Sequence, residues 1–119
     1  MKIITFDIGG TFIKYALCDE NFNLSKSTKI PTDATIGGKK IIEKVIEIIK
    51  EHKEIDRVGI STAGQVDSDT GIVVYATDTI PGYTGTKIKD LVETATGIPT
   101  FVENDVNSAA LGEAYFGKA

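Results

Sequence analysis

FDIGGTFIK, at Phe6–Lys14, is the stretch that decides how the first part of this chain folds. Residues 2–8 lead into its two glycines and are rich in β-branched and aromatic residues, and residues 12–18 that follow have the same character. Such runs predict strands, and a short break at Gly9 and Gly10 predicts a tight turn. The stretch therefore predicts a β-hairpin with a glycine turn at its tip.

Further strands are predicted beyond this hairpin. A more polar run at 24–30 precedes a proline, and short apolar runs at 57–62 and 99–103 end in small or polar residues. Both apolar runs have the length and composition of buried strands. Residues 65–85 are rich in Gly, Asp and Thr, and we expect a small hairpin and an irregular loop there.

Three helices are predicted between and after these strands. Apolar residues recur with helical spacing around 41–49, with charged residues outside the stripe, and further helices are expected at 86–96 and 105–116. Gly97 followed by Pro99 is a typical helix stop. The resulting order, β-β-β-α-β-α-β-α, predicts an α/β fold with a mixed five-stranded sheet.

Composition limits the class of protein. With 119 residues the chain predicts one domain, residues 1–119, and its net charge of −4 argues against a nucleic-acid partner. The chain has one cysteine, Cys18, and one histidine, His52. We therefore expect neither an intramolecular disulfide nor a Cys/His zinc site within these residues. No apolar run reaches 18 residues, so we expect no membrane span and a cytoplasmic location.

The glycine turn is the first candidate site. Gly9 and Gly10 would let backbone N–H groups approach a bulky anion, and either glycine could adopt a positive φ. Thr11 adds a hydroxyl and Lys14 a positive charge, while Asp7 is suited to hold a water of an accompanying Mg²⁺ ion. The alternative is a plain hairpin turn with no ligand. The chain lacks both the P-loop and the dinucleotide-binding glycine patterns.

A second candidate site is ENDVN, at residues 103–107, between the last strand and the last helix. Asp105 could act as the general base for a substrate hydroxyl, with Asn104 bonding a neighbouring hydroxyl. The alternative is helix capping, because Asn and Asp favour helix N-termini. Parallel strands of a sheet gather ligands at their carboxyl ends, so we expect the loops 7–12, 61–65 and 103–107 to converge.

Two further loops are candidates for a sugar pocket. The turn that ends in Ala63 and Gly64 could let a sugar lie against the backbone, although it could also be only the end of a strand. Tyr83, in IPGYTG, could offer a flat face to a sugar ring or simply pack within its loop.

Four segments together resemble the ROK family of sugar kinases and related repressors. They are FDIGGTFIK at 6–14, GISTAGQVD at 59–67, IPGYTG at 80–85 and GIPTFVENDVNSAALGEA at 97–114. The resemblance covers essentially the whole chain. It implies an RNase H-like lobe of the actin/hexokinase ATPase type, and transfer of a phosphoryl group from ATP to a hexose hydroxyl.

The resemblance also implies roles for individual residues. The ATP phosphates and Mg²⁺ would lie beside Asp7, Gly9, Gly10, Thr11 and Lys14. Asp105 would be the catalytic base, supported by Glu103 and Asn107, and the sugar pocket would include Gly64, Asn104 and Asp105.

This chain departs from the family pattern in two places. Ala63 stands where a proline is usual, and Tyr83 stands near a usual tryptophan, with Asp78 near a usual asparagine. These differences leave glucose, a β-glucoside and N-acetylmannosamine open as the substrate.

The resemblance further implies a second, C-terminal lobe that is absent from these 119 residues and in which a zinc motif would lie. We therefore expect the 119 residues alone to have little kinase activity, and the complete protein to be a homodimer. The alternatives are a sugar-sensing ROK repressor, disfavoured because the first strand begins at residue 2, and a non-catalytic sugar-binding domain.

Overall fold

The computed structural model describes residues 1–19, 27–77 and 79–104. Its main feature is a five-stranded sheet in the order β3-β2-β1-β4-β7. The strands are β1 (Lys2–Ile8), β2 (Phe12–Asp19), β3 (Thr28–Pro31), β4 (Arg57–Thr62) and β7 (Thr100–Asn104). The predicted α/β class and the mixed five-stranded sheet are confirmed.

The sheet is mixed because its two halves are connected differently. The tight turn joins β1 to β2 as an antiparallel hairpin, in which Ile8 pairs with Ile13, and β3 adds to β2 antiparallel. β4 and β7 each return through a helix, so β1, β4 and β7 run parallel. The predicted hairpin at the glycine turn is therefore confirmed.

Two helices, α1 (Gly38–Glu51) and α2 (Ile88–Thr96), contact each other and cover one face of the sheet. The predicted apolar stripe of α1 is buried except for Ile46, which is half-buried, and each buried isoleucine contributes roughly 1.5–3 kcal/mol. Its buried apolar members are Ile41, Ile42, Val45, Ile48 and Ile49. The opposite face carries a smaller cluster around Ile3, Cys18 and Phe101.

Several element boundaries differ from the predicted ones. Residues 65–85 contain the expected hairpin, formed by β5 (Gln65–Asp67) and β6 (Ile72–Tyr75). α2 starts at Ile88 instead of residue 86, because Lys87 forms an isolated bridge with Ile72. α2 ends as predicted, with Gly97 in the left-handed region.

The third strand also differs from its predicted bounds. β3 includes Pro31 as its last residue, a place where an edge strand tolerates the missing N–H group. A short 3-10 helix, Ala34–Ile36, follows. The predicted last helix, at 105–116, lies outside the described residues.

Candidate functional site

The carboxyl ends of β1, β4 and β7 lie side by side, as the parallel connections predicted. Asp7 pairs with Ser61 and Ser61 with Glu103, so these three residues share one face. The next residues along each strand, Ile8, Thr62 and Asn104, share the face that is covered by the helices. The loops that leave these strands therefore start from one edge of the sheet.

The glycine turn is shaped by close approach and not by unusual backbone angles. Neither Gly9 nor Gly10 has a positive φ, contrary to one reason for expecting glycine there. A Cβ on Gly10 would lie 2.9 Å from Cγ2 of Thr79, and a Cβ on Gly9 would lie 3.2 Å from the carbonyl oxygen of Phe12. A side chain at position 10 would therefore have to displace the Thr79 methyl group, because the loop around Thr79 packs directly against the turn.

Some backbone N–H groups of the glycine turn are hydrogen-bonded within the protein and others are not. The N–H of Gly9 donates to the carbonyl of Phe12 at 2.9 Å and closes the turn. The N–H groups of Gly10 and Thr11 make no hydrogen bond within the described parts of the chain. Successive backbone N–H groups in a turn are the donors from which anion-binding sites are built.

Asp7 and Lys14 lie next to this turn and directly opposite each other on β1 and β2. Both side chains are exposed, and neither forms an ion pair within residues 1–19, 27–77 and 79–104. The structure thus brings the predicted phosphate-side residues together on two paired strands.

The second turn, at Ala63 and Gly64, is also held closely. The N–H of Ala63 donates to the carbonyl of Ile8 at 2.9 Å, which ties this turn to the end of β1. Gly64 has φ +95°, and a Cβ there would lie 2.9 Å from the carbonyl oxygen of Tyr75. Gly64 therefore allows the end of β6 to pack onto the turn.

A cleft of about 400 Å³ opens between these loops. It is bordered by Gly10 from the first turn, Gly64 from the second, and the segment that follows β6. Its complete lining is Gly10, Ala63, Gly64, Gln65, Tyr75, Ala76, Thr77, Thr79, Ile80 and Tyr83. A cleft of this size accommodates a small organic ligand.

Tyr83 closes the floor of the cleft. Only 1% of the residue is exposed, and its hydroxyl forms a hydrogen bond with the hydroxyl of the equally buried Thr62. Burial raises the pKa of Tyr83 to about 12, although the hydrogen bond to Thr62 acts in the opposite direction. Of the two interpretations of Tyr83, packing within its loop agrees with the structure.

Ser61 differs from the other residues at the strand ends. Its residue exposure is 6%, and its hydroxyl oxygen is buried without a hydrogen-bond partner in the described structure. An unpartnered buried hydroxyl costs about 1–3 kcal/mol.

The end of β7 carries the remaining predicted residues. Glu103 and Asn104 are half-buried, and the N–H of Asn104 donates to the Glu103 carboxylate at 3.3 Å. Asp105 and Asn107, together with Asp78 of the cleft loop, lie outside the described residues. The catalytic role of Asp105 therefore stays a prediction.

Sequence reasoning missed three threonines at this site. Thr79 contacts the glycine turn, Thr62 holds Tyr83, and Thr32 bonds to two carbonyls of the glycine turn. No local pattern marks them, because each bonds to or contacts a residue at least 21 positions away along the chain.

The comparisons with known proteins agree with this arrangement. A family model described as the ROK family matches residues 3–119. The chain belongs to the ROK family. A glucokinase from Thermotoga maritima is 32% identical over 120 residues, which covers 98% of this chain and 38% of the relative. A beta-glucoside kinase from Klebsiella pneumoniae is 30% identical, with 100% and 39% covered.

A solved structure supports the same assignment of fold. The ROK family glucokinase from Streptomyces griseus, in complex with glucose and AMPPNP, is 34% identical and superposes with a TM-score of 0.79 over 98% of this chain. The match covers 37% of that protein. This ROK chain thus spans well under half the length of the relatives it matches. Neither described helix has the length and hydropathy needed to span a membrane.

Proposed function

We propose that this ROK chain is the N-terminal lobe, residues 1–119, of a sugar kinase that transfers the γ-phosphoryl group of ATP to a hydroxyl of a hexose or hexose derivative. The observation that carries the proposal is the convergence of two glycine-containing turns, which border one cleft, with the end of β7 at the same edge of the sheet. Membership of a family whose relatives include kinases named for glucose and for β-glucosides supports it.

The phosphate side of the proposed site is the glycine turn. The N–H groups of Gly10 and Thr11, which have no partner in the described parts of the chain, would bind phosphate oxygens, and Gly9 would keep the turn closed through its bond to Phe12. The positive charge of Lys14, on the adjacent strand, would attract the triphosphate.

Mg²⁺ fits the same region through its water shell. No group of three or more His, Cys, Asp or Glu side chains that could hold a metal occurs among the described residues. Mg²⁺ commonly keeps several waters and binds mainly to substrate phosphates. The exposed carboxylate of Asp7 would accept hydrogen bonds from those waters, and the ion would neutralise charge on the transferred phosphoryl group.

The sugar side is the cleft and the end of β7. Gly64 would let the sugar approach the backbone, and Asn104 would bond one of its hydroxyls. Asp105 would take the proton of the attacking hydroxyl as the phosphoryl group arrives. We propose that phosphoryl transfer needs a second lobe, equivalent to the part of the relatives that this chain does not match. Closure of two lobes around both substrates excludes water from the site.

The test is release of ADP from Mg²⁺-ATP by the complete protein over a panel of hexoses, β-glucosides and amino sugars. We expect turnover with one class of sugar, and a loss of at least 100-fold in Asp105→Asn because general-base catalysis contributes roughly 10²–10⁴-fold. Asp69→Asn, an exposed aspartate of the β5–β6 hairpin, is the matched control and should retain activity. Sugar binding without turnover of any sugar would contradict the kinase proposal and favour a sugar sensor.

A further inference from the structure

Thr32 follows β3 directly and is completely buried. Its hydroxyl donates to the carbonyl oxygen of Gly9 at 2.8 Å. Its backbone N–H donates to the carbonyl oxygen of Thr11 at 2.9 Å. One residue therefore occupies two carbonyl oxygens of the glycine turn, from a segment more than 20 residues away in sequence.

These two bonds determine which groups of the turn remain available. A carbonyl oxygen that faced the ligand would repel a phosphate, whereas an N–H group attracts it. With the carbonyls of Gly9 and Thr11 bonded to Thr32, the N–H groups of Gly10 and Thr11 are the backbone donors of the turn that have no partner among the described residues and could bind an anion. Thr32 thus favours the orientation of the turn that binds anions.

Thr32 is itself held from α1. The ammonium group of Lys44 donates to the carbonyls of Pro31 at 3.1 Å and Thr32 at 3.3 Å, and to the carboxylate of Asp33 at 3.0 Å. Asp33 has φ +53°, a left-handed conformation that aspartate tolerates better than most residues. The bonds from Lys44 connect the first helix, through Thr32, to the glycine turn.

We propose that Thr32 is a positioning residue for the phosphates of a Mg²⁺-nucleoside triphosphate, and that Lys44 supports it. The inference rests on the proposed nucleotide site at the glycine turn, but it concerns residues that contact no substrate. The inference predicts that loss of the Thr32 hydroxyl weakens nucleotide binding and leaves sugar binding unchanged.

The test compares two threonine-to-valine variants of the complete protein. Thr32→Val removes the hydroxyl and keeps the shape. The control is Thr100→Val, since Thr100 is also buried and its hydroxyl also donates to a carbonyl, that of Ile98 at 3.0 Å. Thr100 lies at the amino end of β7, away from the glycine turn. Binding of Mg²⁺-AMPPNP is measured by calorimetry, and KM for sugar and for ATP is measured in parallel.

We expect Thr32→Val to raise the Kd for Mg²⁺-AMPPNP roughly tenfold, as for loss of a hydrogen bond in a charged site. KM for ATP should rise with it and KM for sugar should change less than about twofold. Thr100→Val should lower thermal stability without changing the nucleotide Kd. Thr32→Ser, which keeps the hydroxyl, should restore most of the affinity.

Equal nucleotide affinities in Thr32→Val, Thr100→Val and the wild type would overturn the inference, whatever the sugar activity. If Thr32→Val does not fold, Lys44→Met takes its place, and an unchanged nucleotide Kd in that variant overturns the inference as well. A wild type that binds Mg²⁺-AMPPNP but phosphorylates no sugar contradicts the kinase proposal alone, and a weakened Thr32→Val then still supports the inference.

Discussion

Gly64 provides the most direct test of how the cleft is built, through the substitution Gly64→Ala. Two costs are expected. A side chain at φ +95° is strained, for which the left-handed penalty of about 1–2 kcal/mol is a guide. In addition, the new Cβ would lie 2.9 Å from the carbonyl oxygen of Tyr75, and overpacking of this kind costs about 1–3 kcal/mol.

The control for this prediction is Gly97→Ala. Gly97 also has a positive φ, of +72°, but a Cβ there meets no atom of the described residues within 4 Å. Gly97→Ala should therefore lower the free energy of unfolding by the backbone cost alone, about 1–2 kcal/mol. Gly64→Ala should lower it by roughly 2–5 kcal/mol, the sum of both costs.

The assay is urea unfolding of the wild type and both variants at one temperature, followed by KM for sugar. We expect Gly64→Ala to raise KM for sugar, because the end of β6 must move away from the turn, while Gly97→Ala leaves it unchanged. The reasoning is refuted if the two variants lose the same stability within about 0.5 kcal/mol. The β5–β6 hairpin would then move away from the new Cβ at position 64 without a measurable loss of stability.

Three further predictions concern buried or partly buried polar groups. The raised pKa of Tyr83 means that stability is fully present below pH 10 and falls as pH rises from 10 to about 12, by about 1.4 kcal/mol per pH unit; urea unfolding of Tyr83→Phe should show a smaller fall. Burial alone would raise the pKa of Glu93, but hydrogen bonds from Lys89 and from the N–H of Thr100, with the Lys89 charge, lower it. Wild-type stability relative to Glu93→Gln should therefore fall as pH drops below 4.5 in acid titrations. Ser61→Ala should raise the free energy of unfolding by about 1 kcal/mol in urea, because it removes a buried hydroxyl that has no partner among the described residues; a loss of stability would show that this hydroxyl is bonded.

The mixed sheet and the convergence of its strand ends follow from the order of the elements along the chain. The other features predicted correctly are set by residues close in sequence. The β1–β2 hairpin depends on two apolar runs and the glycines between them, and the buried face of α1 depends on its own periodicity. The end of α2 at Gly97 follows from a local stop signal. Each of these is decided within about one element, so a single sequence is sufficient.

The features that were missed depend on contacts between distant segments. The start of α2 is delayed by the bridge between Lys87 and Ile72, which belongs to the β5–β6 hairpin. The need for glycine at position 10 comes from Thr79, 69 positions later, and not from a positive φ. Likewise, nothing around Thr32 indicates that it bonds to the turn. Such requirements appear only when the loops are placed together.

The outer strand of the sheet has a consequence for the behaviour of the protein at high concentration. An open sheet edge presents unpaired backbone groups on which a strand from another molecule can form. Among the described residues, β3 is the outer strand of the sheet and has only four residues. Pro31 has no N–H group, and Lys29 is exposed, with its ammonium 4.1 Å from the centre of the Phe12 ring. Short length, a missing donor and a charge each oppose edge-to-edge pairing, so this side of the sheet resists growth into intermolecular β-structure.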